Sequence, residues 1–258
     1  MMFIKEKSQL FLDLLWGMTE KELKARYKHT VFGFLWVVVN PVLQMLVIGF
    51  VFKLFIKDPL PNYYLYLFSG LLTWNFFSLS LTKSTPSIVN ERSLIKKAKF
   101  PHSVIPLSII FSNLVNLLIA FFMLIILTAY NKLFSLAGIP YFILAIILLV
   151  SFTVGFSLFS AALNVRFRDV NFFVQALLMV WFYATPIVYS ISVVPYDLMW
   201  LWRINPMTSI MQLFQYVFAS APPPGVGMLA INGSINLLFL VLGIFIFKKE
   251  SKNFDDWV

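Results

Sequence analysis

Charge is distributed in this chain so that six long stretches carry none. They are Val31–Phe52, Tyr63–Thr82, the runs from Lys99 to Lys132 and from Lys132 to Arg166, the run from Asp169 to Asp197, and the run from Arg203 to Lys248. Each can cross a hydrocarbon core of about 30 Å, which takes roughly 20 apolar residues in a helix. With 60% hydrophobic and 12% charged residues, the chain is far more apolar than a soluble domain at about 45–50% apolar and 25% charged. This excludes a soluble enzyme, a disordered chain and a nucleic-acid-binding module. A disulfide scaffold is excluded because there is no cysteine.

The net charge of +9 follows topology. Sixteen of the 20 Lys/Arg fall in residues 1–30, between the second and third runs, around Arg166 and Arg168, and at the C-terminus. The alternate segments hold only Lys53, Lys57, Lys132 and Arg203. The positive-inside rule places both termini in the cytoplasm. Six crossings follow, so the long last run contains a single span. The rest of that run, Asn205–Ala221, is bounded by Pro206 and by Pro222, Pro223 and Pro224. It reads either as a helix that dips into the membrane and returns, shielded by protein, or as a flat interfacial helix.

Residues 1–30 form a cytoplasmic amphipathic unit. Leu10, Phe11, Leu14, Leu15 and Met18 share a face opposite Gln9, Asp13 and Glu20. Gly17 weakens that helix, and Thr19 with Glu22 forms a capping-box pattern that restarts it. The predicted fold is therefore all-α and integral to the membrane. An interface helix (1–30) precedes a six-span domain (31–258).

Machinery for chemistry is missing. No acid, Lys or Arg lies at the centre of a run, which argues against proton coupling. His29 and His102 are isolated, so no metal site is expected. No G-x-x-x-x-G-K-[ST] phosphate loop exists, so energy must come from a partner. Two rival classes are a membrane-embedded lipid transferase and a structural scaffold. The first lacks a clustered site, since Asp58, Glu91, Asp169, Asp197 and the histidines are scattered.

Between the second and third runs lies NERSLIKKAKFP (Asn90–Pro101). Asn90 can cap a helix, Glu91 suits its first turn, and Lys96 and Lys97 suit its last. Pro101 stops it. The expectation is a two-turn helix with Leu94 and Ile95 offering apolar contacts, either docking on a soluble partner or acting as a basic topology anchor. NVRFRDV (Asn164–Val170) is a second basic connection. Asn40–Pro41, with Gln44 one turn later, interrupts the first run as a cavity-facing kink or a plain bend. Aromatics make up 18% of the chain. Tyr63, Tyr64, Tyr66, Trp200 and Trp202 suit interfacial belts. Trp36, Trp74, Phe76, Phe77, Trp181, Phe182 and Tyr183 sit deeper.

KELKARYKHTVFGFLWVVVNPVLQMLVIGFVF (Lys21–Phe52) and SGLLTWNFFSLSLTKSTPSIVNERSLIKKAKFPHSVIPLS (Ser69–Ser108) resemble the permeases of polysaccharide-exporting ABC transporters. NVRFRDV, ATPIVYS (Ala184–Ser190) and NPMTSIMQLF (Asn205–Phe214) extend the resemblance in order along the chain. It is strongest to the Wzm-type O-antigen branch; teichoic-acid and capsule permeases share much of the pattern. A permease for small drugs or lipids is the wider alternative.

The resemblance implies a homodimer in the bacterial inner membrane, worked by two copies of a Wzt-like ATPase. ATP and Mg would be bound there and not on this chain. The substrate would be an undecaprenyl-diphosphate-linked polysaccharide moving from cytoplasm to periplasm. Asn90, Glu91, Arg92, Ser93, Leu94, Ile95, Lys96 and Lys97, within a segment reaching residue 98, would couple to the ATPase. Residues 193–224 would gate the periplasmic side, with Asn205 and Pro206 at the gate. Phe32, Trp36, Trp74, Phe77, Trp181, Tyr183 and Tyr189 would line the path.

Overall fold

The computed structural model describes residues 2–28, 33–55, 62–97, 100–133 and 135–254. Among these residues every regular element is helical. In chain order the α-helices are α1 (Met2–Tyr27), α2 (Trp36–Phe55), α3 (Tyr63–Ser84), α4 (Ser87–Asn90), α5 (Arg92–Lys97), α6 (Val104–Tyr130), α7 (Ile139–Arg166), α8 (Asp169–Tyr183), α9 (Met199–Ile204), α10 (Pro206–Ala219) and α11 (Val226–Glu250). Among the described residues three helical stretches are both long and apolar enough to cross a membrane, namely Val104–Tyr130, Leu136–Arg166 and Val226–Asn253. Trp36–Phe52 and Asp169–Tyr183 are apolar but shorter.

The first helix corrects the expected break. α1 runs unbroken through Gly17, and Thr19 caps nothing. Its hydroxyl donates to the Leu15 carbonyl one turn back at 2.7 Å, the local bond a mid-helix threonine makes. The sheltered face is Phe11, Leu14, Leu15, Met18, Thr19, Glu22, Leu23, Arg26 and Tyr27, and α1 lies against α6. Leu10, expected on that face, is 59% exposed.

α3 is the hub. It packs on α2, α6, α7, α8 and α10, and fifteen of its 22 residues are buried. Burial explains its unusual polarity for an inner helix. Ser69 and Thr73 bond back to Tyr66 and Ser69 carbonyls, so their hydroxyls meet no hydrocarbon. Below α3, α7 and α11 cross so closely that Gly155 and Gly243 touch backbone to backbone. A Cβ on Gly155 would lie 2.6 Å from the Leu240 backbone, and a Cβ on Gly243 would overlap the Gly155 carbonyl. Only glycine fits either position. Such small-residue contacts let membrane helices gain packing where water supplies no hydrophobic drive.

The fifth uncharged run is not one helix. α8 has 15 residues, about 22 Å at 1.5 Å each, and the chain then unwinds through residues 184–190. Thr185, Pro186, Ile187 and Val188 are nonetheless buried. Their carbonyls find donors inside the protein. Tyr63 Oη donates to Val188 O at 3.0 Å, Tyr66 Oη to Tyr189 O at 2.8 Å, and Gln215 Nε2 to Pro186 O at 2.8 Å. Irregular backbone at membrane depth needs this internal satisfaction. Tyr63 and Tyr66 are therefore interior staples, not belt residues. Of that group Tyr64 and Trp200 are exposed.

Candidate functional site

Three places concentrate chemistry. The first is the end of the bundle where α4 and α5 sit. α5 begins two residues later than its motif suggested, at Arg92. Asn90 closes α4, and the Glu91 carbonyl starts α5 by accepting from Leu94 and Ile95 N–H at 2.9 and 3.2 Å. Asn90 is thus no side-chain cap, because Pro86 and Ser87 already wind a turn that ends on it. Ile95 does not face outward either. It is 3% exposed and packs with Ile88, Ile105, Leu158, Val165 and Phe247 in a cluster formed by α4 to α7 and α11. This anchor leaves Asn90, Arg92, Ser93, Lys96 and Lys97 exposed. Glu91 accepts from Lys21 of α1 at 3.0 Å, which ties α1 to the same element.

The second is α10. Almost every residue is buried, between α3, α7 and α11. Phe121 stacks on Phe214 and Phe218 with centroids 4.7 and 5.3 Å apart. A helix enclosed on every side is not lying flat on an interface. Its start is fixed by Asn205 and Pro206. Asn205 Oδ1 accepts from Met207 N at 3.0 Å and from Trp181 Nε1 at 2.9 Å. Its Nδ2 donates to Ala184 O and Thr185 Oγ1 at 3.1 and 3.0 Å. Pro206 at the first helical position needs no partner for a missing N–H. From α11, Asn232 Oδ1 accepts from Ser209 N and Oγ, and its Nδ2 donates to Arg203 O at 2.5 Å.

The third is a groove of about 400 Å³ between the end of α1, α2, α3 and α6. Arg26, Asn40, Gln44, Asn75, Asn113 and Asn116 line it, with Trp36 and Phe76. Arg26 Nη2 donates to Asn113 Oδ1 at 2.6 Å, and Asn113 Nδ2 donates to Ser80 Oγ at 3.0 Å. Tyr27 Oη donates to Asn116 Oδ1 at 2.9 Å. Burial pushes the Tyr27 phenol above its usual value against the pull of Arg26, so it stays a donor. Asn113 lies nine residues into α6, about 14 Å along its axis.

A model of the ABC-2 type transporter family matches residues 13–219. The chain belongs to the ABC-2 type transporter family. It is 35% identical over 263 residues to an O-antigen export system permease protein RfbA of Klebsiella pneumoniae, covering 98% of both chains. A second RfbA of that organism is 34% identical over 270 residues, again with 98% of each chain covered. RfbA of Myxococcus xanthus is 32% identical over 247 residues and 95% of each chain.

In this ABC-2 chain the residues expected along a path divide sharply. Phe77 and Trp74 are core side chains, 0% and 6% exposed. Phe77 stacks on Phe152 at 5.4 Å and meets Trp181 edge-on at 5.5 Å. Phe77 is wholly enclosed, whereas an edge of Trp74 borders a shallow groove beside Phe182 and Tyr183. Trp36 and Tyr183 are exposed, at 45% and 66%. Tyr189 Oη donates to Tyr183 O at 2.8 Å and accepts from Trp202 Nε1 at 3.0 Å. Trp181 is committed to Asn205. Phe32 and residue 98 lie outside the described residues. Among those residues no group of three His, Cys, Asp or Glu could hold a metal. Asn40, Pro41 and Gln44, expected as a cavity-facing kink or a plain bend, do line the groove; what the sequence did not announce is the rest of its lining. Its cation arrives from α1, outside every uncharged run. A signal existed in Asn40/Gln44 and Asn113/Asn116, each pair one helical turn apart on one face.

Proposed function

We propose that the chain is the membrane-spanning, channel-forming subunit of an ATP-driven exporter of lipid-linked polysaccharide, O antigen, moving it from cytoplasm to periplasm. The carrying observation is near-full-length similarity to proteins named O-antigen export system permeases. In this reading α2, α3, α6, α7, α8 and α11 are the six spans of a bacterial inner-membrane protein with both termini cytoplasmic. α1 lies at the cytoplasmic interface, and α10 is a helix that dips in and returns. Two copies pair, and two Wzt-like ATPases that bind ATP and Mg drive them.

Coupling runs through residues 90–98. Ile95 roots that segment in the bundle, and its exposed Arg92, Ser93, Lys96 and Lys97 meet the ATPase. Asn205 and Pro206, within 193–224, hold the gate helix. Trp36, Tyr183 and Tyr189 face the path between protomers.

The test replaces exposed residues of α5 and spares Ile95. With Arg92→Glu and Lys96→Glu together, the protein should still insert and melt normally. ATPase co-purification or substrate-stimulated ATP turnover should fall at least tenfold, and export with it. Unimpaired export with this double variant overturns the coupling assignment.

A further inference from the structure

We infer that the groove between α1, α2, α3 and α6 binds the phosphate of a membrane-lipid headgroup, with Arg26 as its charge partner. Arg26 Nε is buried and has no hydrogen-bond partner among the described residues. No carboxylate pairs with Arg26 there either, since the two ion pairs are Lys21–Glu91 and Lys24–Glu20. A sheltered cation whose fork is half used is costly unless an anion completes it. Guanidinium takes phosphate oxygens through two parallel N–H donors.

The neighbouring amides are set for such a guest. Ser80 holds Asn113 so that its carbonyl meets Arg26. Asn75 Nδ2 donates to Gln44 Oε1 at 3.0 Å, which leaves the Gln44 NH2 to donate to a ligand. Asn40 is exposed on α2, where hydrocarbon alone would leave its amide unsatisfied. The space of about 400 Å³ is more than ten times the ~30 Å³ share of one liquid water.

The guest is a lipid because of what borders the groove. Leu43, Leu46, Val47 and Phe50 on the outer side of α2 are 51%, 51%, 65% and 63% exposed. A headgroup seated at Arg26 can leave its chain along that apolar flank. Two lipids carry the required chemistry, a polyprenyl diphosphate and an ordinary anionic phospholipid. Identifying the first as cargo rests on the proposed function; phosphate binding does not.

The experiment titrates the purified full-length chain, without ATPase, with undecaprenyl diphosphate and separately with phosphatidylglycerol. Diacylglycerol is the phosphate-free control. Binding is read by lipid-adduct native mass spectrometry. Arg26→Gln should weaken phosphate-lipid binding at least tenfold and Asn40→Ala about threefold. Lys132→Gln, remote on the chain and exposed, should change nothing. A loss confined to undecaprenyl diphosphate upholds the site and names the linked substrate. An equal loss for phosphatidylglycerol upholds it with phospholipid as occupant. Unchanged affinity for both lipids in Arg26→Gln, with its melting temperature retained, overturns it. If Arg26→Gln does not fold, Asn40→Ala decides in the same way. Because no transport is measured, failure of the export assignment leaves this result standing.

Discussion

Around Asn205, which is buried, one side-chain amide makes four hydrogen bonds to three parts of the chain. Around Arg26 a guanidinium donates to Asn113 and lies beside the Tyr27 phenol, keeps an Nε without a partner among the described residues, and borders a groove of about 400 Å³. Both regions put polar groups deep in an apolar protein. The first spends its polarity on structure, pinning the start of α10 to the end of α8. The second holds polarity in reserve. A buried polar group that the fold satisfies is evidence of architecture; one that the fold leaves open beside a cavity is evidence of a ligand.

Substitutions sharpen that contrast, and the glycine crossing of α7 and α11 sets its upper bound because backbone meets backbone there. Gly243→Leu must push a side chain into the Gly155 carbonyl. Overpacking commonly costs 1–3 kcal/mol, and backbone against backbone cannot yield as side chains do. The expected cost is about 3 kcal/mol or more, seen as loss of monodisperse protein in detergent. Normal yield and melting would mean that the helices separate easily.

Next is Asn205→Ala, which removes a helix cap worth about 1 kcal/mol and strands the buried Trp181 N–H, adding about 1–2 kcal/mol. Asn205→Asp keeps both accepted bonds and loses both donated ones, so it should fall between Asn and Ala. If Ala melts like the parent, the region is not the structural anchor described here. Arg26→Gln, measured without added lipid, should cost under about 1.5 kcal/mol, since one net hydrogen bond of about 1 kcal/mol is lost and an unpaired charge is relieved. A loss as large as that of Asn205→Ala would make Arg26 a structural residue and erase the contrast.

How far the sequence announced all this depended on whether the signal was local. Helicity, the long apolar elements α6, α7 and α11, and the short basic element after α3 follow from periodicity and charge gaps. The helix after Asn205 was legible from the prolines that bound it, Pro206 and Pro222 to Pro224, while its enclosure and the Asn205 cap came only from the structure. Where partners lie far apart, composition misled. Tyr63 and Tyr66 look like belt residues until residues 184–190, more than a hundred positions away, supply their acceptors. Ile95 reads as a docking residue until Ile105, Leu158 and Phe247 close over it. The capping box at Thr19 and Glu22 is a local pattern overruled by packing against α6. Arg26 escaped notice for the same reason, because its depth is conferred by α6 and not by its own neighbours.

The smallest effect concerns the surface end of α1. Lys21 and Glu91 bond at 3.0 Å with side chains 58% and 30% exposed, so solvent and salt screen the pair, and its coupling energy should stay below about 1 kcal/mol. A double-mutant cycle of Lys21→Ala and Glu91→Ala on thermal stability checks this, and added salt should shrink the coupling further. Arg26 sits on the same helix five residues on. If α1 is fixed to the bundle mainly through its packed face on α6, breaking the ion pair leaves lipid binding at the groove unchanged. If instead the cycle shows coupling of several kcal/mol and lipid affinity falls with it, the α1–α5 link holds the groove together. The open region and the basic element at the bundle end would then be one mechanical unit.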